Sequence, residues 1–118
     1  MNVGRWIVDG MNVIGSRPDG WWRDRTGAMR RLAAELSAWA AADGEEVVLA
    51  LDGRERDLGE HPGVEMRFAR VADDLIVALA AEDPAVRVAT SDRGLAERLA
   101  ALGVQTEGVR AFRERLDG

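Results

Sequence analysis

Three apolar runs in this sequence end in an aspartate. Trp6-Ile7-Val8 stops at Asp9, Val47 to Leu51 stops at Asp52, and Val86 to Thr90 is followed by Ser91-Asp92. A fourth acid, Asp73, opens the segment 72–82 (ADDLIVALAAE), with Asp74 beside it. Carboxylates are hard oxygen donors, so a set of three or four is the ligand chemistry of Mg²⁺ or Mn²⁺. Each acid also has an ordinary structural reading. Asp92 suits a helix N-cap, Asp73 the first turn of a helix, and Asp9-Gly10 and Asp52-Gly53 suit turns. Asn12 follows Asp9 by three positions. Its amide can hold Asp9 or orient a metal-bound water without adding charge, and it equally suits a turn or helix start. His61 is the lone histidine, in a Gly- and Pro-rich stretch, and is expected to be solvated; it has no partner for a zinc cluster or a catalytic triad.

The elements that must position these acids follow from apolar periodicity. Residues 5–9, 46–51 and 86–90 read as buried strands, 64–68 as a strand nearer an edge, and 104–106 as a short strand. Helical spacing of Met29, Leu32, Ala33, Leu36 and Ala40 predicts a helix over about 24–42, closed by Asp43-Gly44. Further helices are expected over 72–82, over 91–103 with Leu95, Leu99 and Leu102 on one face, and over 108–116 with Phe112 and Leu116. Residues 52–63 are polar and rich in glycine, and read as a loop. The order β-α-β-β-α-β-α-β-α predicts an α/β fold with an open, mostly parallel sheet between two helical layers. In such sheets ligands bind beyond the carboxyl ends of the strands.

That rule gathers Asp9, Asp52 and Asp92 at one edge. Asp73 shares a helical face with Ile76, Val77 and Ala80 and should point toward the sheet, whereas Asp74 is rotated about 100° away. Two carboxylates about 4 Å apart repel by about 4 kcal/mol at an effective dielectric near 20. An edge that collects several of them calls for a divalent cation.

The loops of the same edge carry Arg17, Arg23 and Arg25 after the first strand and Arg54 and Arg56 after the second, and Arg93 follows Asp92. Arginine contacts phosphates bidentately, so an acidic metal centre bordered by these residues suits a polyanion with scissile phosphates. The alternative is solubility with ion pairing to acids such as Asp24 and Asp57. Trp21-Trp22 lies among them; a tryptophan there can stack on an unpaired base or cover the core.

Bulk composition sets limits. The chain has 118 residues, the length of one ordinary domain, and residues 1–118 are read as a single unit. Hydrophobic residues are 47% and charged residues 31%, a globular balance. The net charge of −5 argues against a protein that coats nucleic acid. All 16 cationic residues are arginine, so P-loop, Schiff-base and receiver-domain lysine chemistry is excluded. Cysteine is absent, which removes disulfides and thiol catalysis and suits a reducing cytoplasm. No signal peptide or membrane span is expected.

The segments IVDGMNVIG, ADDLIVALA and VATSDRGLAERLAALGV together resemble NYN domains of the PIN-like nuclease superfamily, in particular the YacP-like branch. The resemblance runs from Trp6 to about Val109. It implies an α/β/α sandwich and a metal-dependent endoribonuclease acting on single-stranded or exposed RNA. Asp9 matches the first-strand aspartate of the family and Asn12 its asparagine. Asp73 matches the acid of the helix motif and Asp92 that of the "SD" motif. Asp52 matches a frequent acid after the second strand, and Asp74 adjoins the motif as an accessory. One or two Mg²⁺ or Mn²⁺ ions on Asp9, Asp73 and Asp92 would activate a water for in-line attack on phosphorus, leaving 5′-phosphates. The resemblance also allows the ribosome or RNA-processing factors as partners. A non-catalytic RNA-binding or ribosome-associated module on the same fold is the alternative, although pure binding gains nothing from a negative centre. A phosphatase or phosphotransfer domain is disfavoured, because DGMN is not DxDxT.

Overall fold

The structure, a computed structural model, describes residues 4–118; residues 1–3 of the expected 1–118 unit lie outside the described residues. Strands β1 (Gly4–Asp9), β2 (Glu45–Asp52), β3 (Val64–Ala69), β4 (Arg87–Ala89) and β5 (Gln105–Glu107) form one sheet in the order β3-β2-β1-β4-β5. All four pairings are parallel. The helices are α1 (Gly10–Gly15), α2 (Arg25–Asp43), α3 (Ala72–Glu82), α4 (Arg93–Ala100) and α5 (Val109–Asp117), with a 3-10 turn at Trp21–Arg23.

Side chains of successive strand residues point to opposite faces, and the two cores follow that parity. Trp6, Val8, Val47, Leu49 and Leu51 meet Met29, Leu32 and Leu36 of α2 and Phe112 of α5 on one face. Ile7, Val48, Ala50 and Val88 meet Ile76 and Ala80 of α3 and Leu95 and Leu99 of α4 on the other. A three-layer sandwich results. The apolar run of β2 is thus explained: both of its faces are covered.

Several expectations change. The DGMN stretch is a helix start: α1 begins at Gly10, directly after β1. A Cβ at position 10 would lie 2.5 Å from Leu51 Cδ2 and 2.9 Å from the Ala50 carbonyl oxygen. Glycine is therefore required there for close approach of α1 to β2. The helix expected over 91–103 ends at Ala100, and Gly103 (φ +75°) returns the chain. Val104 then donates its N–H to the Leu99 carbonyl (3.0 Å) and is buried, while Leu102 is left exposed.

The β2–β3 connection has no helix. It lies on the α2 face with Leu58 buried as its anchor. Arg30 donates to the Asp57 carbonyl (3.0 Å) and Ser37 to the Pro62 carbonyl (2.6 Å), tying the loop to α2. His61 is half-buried rather than solvated, with Nε2 2.8 Å from the Leu58 carbonyl oxygen, because the loop doubles back on itself. Among the described residues no helix is long and apolar enough to cross a membrane.

Candidate metal and phosphodiester site

The strand order reverses beside β1: the chain builds outward through β2 and β3, then crosses to β4 on the other side. Such a switch point opens a crevice beyond the carboxyl ends of β1 and β4. Asp9 is the last residue of β1, and Thr90-Ser91-Asp92 follow β4. Asp9 has the parity of Ile7, and Asp52 that of Val48 and Ala50, so both project to the α3–α4 face. Asp73 lies in the first turn of α3 and Asp92 caps α4 on that same face.

A hydrogen-bond network sets their positions. Thr90 Oγ1 donates to Asp9 Oδ2 (2.8 Å) and accepts from the Asp92 backbone N–H (3.1 Å), so one hydroxyl joins two of the acids. Asn12 Oδ1 accepts from the Ser91 N–H (2.7 Å), fastening α1 to the β4–α4 turn. Ser91 Oγ accepts from the Val109 N–H (2.9 Å), which locks α5 to the same turn. Asp52 Oδ1 accepts from the Ala72 N–H (2.9 Å) and Asp92 Oδ1 from the Leu95 N–H (2.9 Å), each closing the start of a helix. The N-cap reading of Asp92 is therefore correct as far as one oxygen goes, whereas Asp52 closes the start of α3, 20 residues away, rather than a local turn. The second oxygen of each accepts no hydrogen bond among the described residues.

Asp9 is buried, and its pKa is raised from 3.8 to about 6. Burial is the main cause; the Asp73 and Asp52 charges add to it, while the Thr90 hydroxyl and the Asn12 N–H oppose it. The Asp73 carboxyl is also held above its usual range, by burial and then by Asp92 and Asp52, with Arg98 offsetting only part. A helix N-terminus alone would lower a carboxyl pKa, so the dipole reading does not account for Asp73. Asp74 is exposed and ion-paired to Arg98 (2.9 Å), and its charge adds to the Asp73 shift as the last of its causes. Among the described residues none of Asp9, Asp52, Asp73 and Asp92 has an ion-pair partner.

The donor chemistry fits a hard divalent cation: oxygen donors of one sign, electrostatically coupled and uncompensated. The fit is one of chemistry, since among the described residues no three His, Cys, Asp or Glu side chains form a ready chelating group as they stand.

The six arginines divide. Arg17 is ion-paired with Asp117 (2.7 Å), Arg56 donates to Thr26 Oγ1 (3.0 Å), and Arg25 lies over the Trp21 ring, 5.4 Å from its centroid. Arg23, Arg54 and Arg93 are exposed and make no side-chain hydrogen bond or ion pair among the described residues. Neither Asp24 nor Asp57 pairs with an arginine side chain: Asp24 caps α2 through the Gly27 N–H (2.9 Å), and Asp57 accepts from the Gly59 N–H (2.9 Å). Trp21 packs against the core, and Trp22 is 53% exposed. The residue the sequence did not single out is Thr90; the signal was a small hydroxyl at the end of an otherwise apolar strand, two residues before an acid.

No protein-family model matches the sequence, and no curated protein matches it significantly. Solved structures do match. The crystal structure of Rae1 (YacP) from Bacillus subtilis superposes with a TM-score of 0.80 at 23% identity, over 99% of this chain and 74% of that one. A single-substitution mutant of that protein gives 0.85 at 22% identity, over 98% and 76%. At this identity the likeness establishes the fold, and the fold is the one implied by the resemblance of the three motifs: this chain folds as Rae1 (YacP) does.

Proposed function

We propose that this chain is a metal-dependent ribonuclease, cutting internally in single-stranded or exposed RNA. The observation that carries this reading is the switch-point cluster: Asp9, Asp52, Asp73 and Asp92 share one edge, with two carboxyl pKa values raised and no ion-pair partner. A folding domain gains nothing from such a group, so its stability is offset for a purpose. The fold of Rae1 (YacP) supports the reading as analogy, and a cytoplasmic protein working on RNA or at the ribosome is the setting it suggests.

Asp9, Asp73 and Asp92 would hold Mg²⁺ or Mn²⁺, with Asp52 as a further ligand and Asp74 as an outer accessory. A bound ion there would lower the pKa of a water and stabilise charge on the phosphate oxygens. The chain's own residues supply placement. Thr90 orients Asp9 and the Asp92 backbone together, and Asn12 keeps the β4–α4 turn against α1. Arg23, Arg54 and Arg93 have guanidinium groups free for backbone phosphates.

The test is cleavage of labelled single-stranded RNA by purified protein with Mn²⁺, Mg²⁺ or EDTA. Cleavage is expected with metal only, on circular as well as linear RNA, leaving 5′-phosphates. Asp73→Asn should lower the rate on the order of 10³-fold, the equivalent of several kcal/mol of lost charge stabilisation. Equal activity of Asp73→Asn and the parent would sink the proposal. RNA binding that is indifferent to EDTA, with no cleavage, would favour the non-catalytic alternative.

A further inference from the structure

Trp22 is the one strongly exposed aromatic side chain among the described residues. Its backbone is firmly held. Gly20 opens the 3-10 turn at φ +81°, Asp19 Oδ1 accepts from the Trp21 N–H (3.2 Å), and Asp24, which ends the turn, caps α2. Trp21 lies against the core with the Arg25 guanidinium over it. It meets Trp22 edge-on, with ring centroids 5.9 Å apart and planes at 86°. In a T-shaped contact one ring's edge meets the other's face, so Trp21 leaves at least one broad face of the half-exposed Trp22 indole available and acts as a pedestal.

The location of this turn follows from topology. Helices between parallel strands run back along the sheet, so the first residues of α2 stand at the carboxyl edge, where β1 and β2 end. Arg56, in the loop after Asp52, donates to Thr26 in the first turn of α2 and fastens the two loops together. Trp22 therefore shares an edge with the four aspartates, displaced from them toward the α2 layer. Arg23 is its neighbour in sequence, and Arg54 lies in the fastened loop; both are exposed. An exposed indole next to the free Arg23 guanidinium, with free Arg54 in the fastened loop, combines the two contacts that hold an unpaired strand: ring stacking on a base, and charge on the backbone.

We infer that Trp22 is a stacking platform for an unpaired nucleobase of the RNA whose backbone reaches the Asp9–Asp73–Asp92 site, and so selects single-stranded over duplex substrate. This rests on the ribonuclease reading above. Base–aromatic stacking is worth about 1–3 kcal/mol, or roughly 5- to 150-fold in affinity.

The experiment is binding of a fluorescein-labelled single-stranded RNA and of a blunt RNA duplex, measured by anisotropy in an Asp73→Asn background that prevents cleavage. Trp22→Ala is expected to weaken single-strand binding roughly 5- to 150-fold, with duplex binding little changed. Trp22→Phe should restore most of the loss. The slope of log Kd against log salt should stay constant in Trp22→Ala, because no charge is removed, and should fall in Arg23→Ala/Arg54→Ala. In otherwise native protein, Trp22→Ala should raise KM and leave kcat unchanged. Single-strand affinity unaltered by Trp22→Ala, in protein that binds and cleaves RNA, overturns the platform alone. No RNA binding by the parent protein overturns the platform together with the ribonuclease reading.

Discussion

Charged groups lie close to the core in two regions of this protein, and the regions are built in opposite ways. Around Trp6, the Arg87 and Arg115 guanidinium groups lie over the indole at 5.1 and 5.2 Å. Arg115 also donates two hydrogen bonds to Glu107 (2.7 and 2.8 Å), and this bonding raises its pKa, holding it in the charged form. Trp39 and Phe112 pack edge-on and tilted against the same indole. Both guanidinium groups there face an aromatic ring, and Arg115 also has a partner of opposite sign; the one gap is Glu45 Oε2, buried beside them without a hydrogen-bond partner. At the switch point, charges of one sign face each other and carboxyl pKa values rise. Compensated charge is what a fold arranges for its own stability; uncompensated charge persists only where something outside the chain completes it.

Asp9→Asn breaks the contrast most directly. Its folded pKa, about 6, exceeds the ordinary 3.8. The folded state therefore holds the proton more tightly, and the contribution is fully present below about 3.8 and lost as pH rises through 6. In EDTA, the parent should lose about 3 kcal/mol relative to Asp9→Asn between pH 4 and pH 8, read from urea denaturation at each pH. Mn²⁺ should raise the melting temperature of the parent at pH 8 and leave that of Asp9→Asn nearly unchanged. Parallel pH curves for the two proteins would erase the distinction between the regions.

Thr90→Val sharpens it. The substitution removes the hydroxyl that favours the charged form of Asp9 and that accepts from the Asp92 N–H. The Asp9 carboxyl should titrate above 6 by NMR, and stability at pH 8 should fall by about 2 kcal/mol, the scale of losing buried hydrogen bonds. A titration left where it was would mean that burial alone sets the pKa.

The smallest effect belongs to the other region. Arg115→Gln removes an exposed ion pair and one cation–π contact, worth together about 1 kcal/mol. Melting should shift by a few degrees at most, with RNA cleavage unaffected. A large loss of cleavage there would connect two regions that the fold keeps apart.

Much of the fold was legible because periodicity states it. The apolar run of residues 46–51 marked a strand covered on both faces, and Met29, Leu32 and Leu36 marked the inner face of α2; all of them are buried. The ends of elements were less legible. Nothing local distinguished a glycine of a turn from Gly10, whose role is set by Leu49, Ala50 and Leu51 from a strand remote in sequence. Leu102 fell on the apolar stripe of α4, yet the turn at Gly103 substitutes Val104 for it. For the site, strand ends sufficed to place Asp9, Asp52 and Asp92 at one edge.

The sequence by itself determined the five strands and the four longer helices, the edge that carries the acids and, through the absence of lysine and cysteine, the chemistries that are excluded. These depend on residue type and short-range spacing. Only the tertiary structure decided which charges are compensated. The Thr90 hydroxyl lies 81 positions from Asp9, the Ser91 N–H lies 79 from Asn12, and Ala72 lies 20 from Asp52. A pKa and a hydrogen bond depend on distances of a few ångströms in space, and chain positions this far apart acquire such distances only when the sheet assembles.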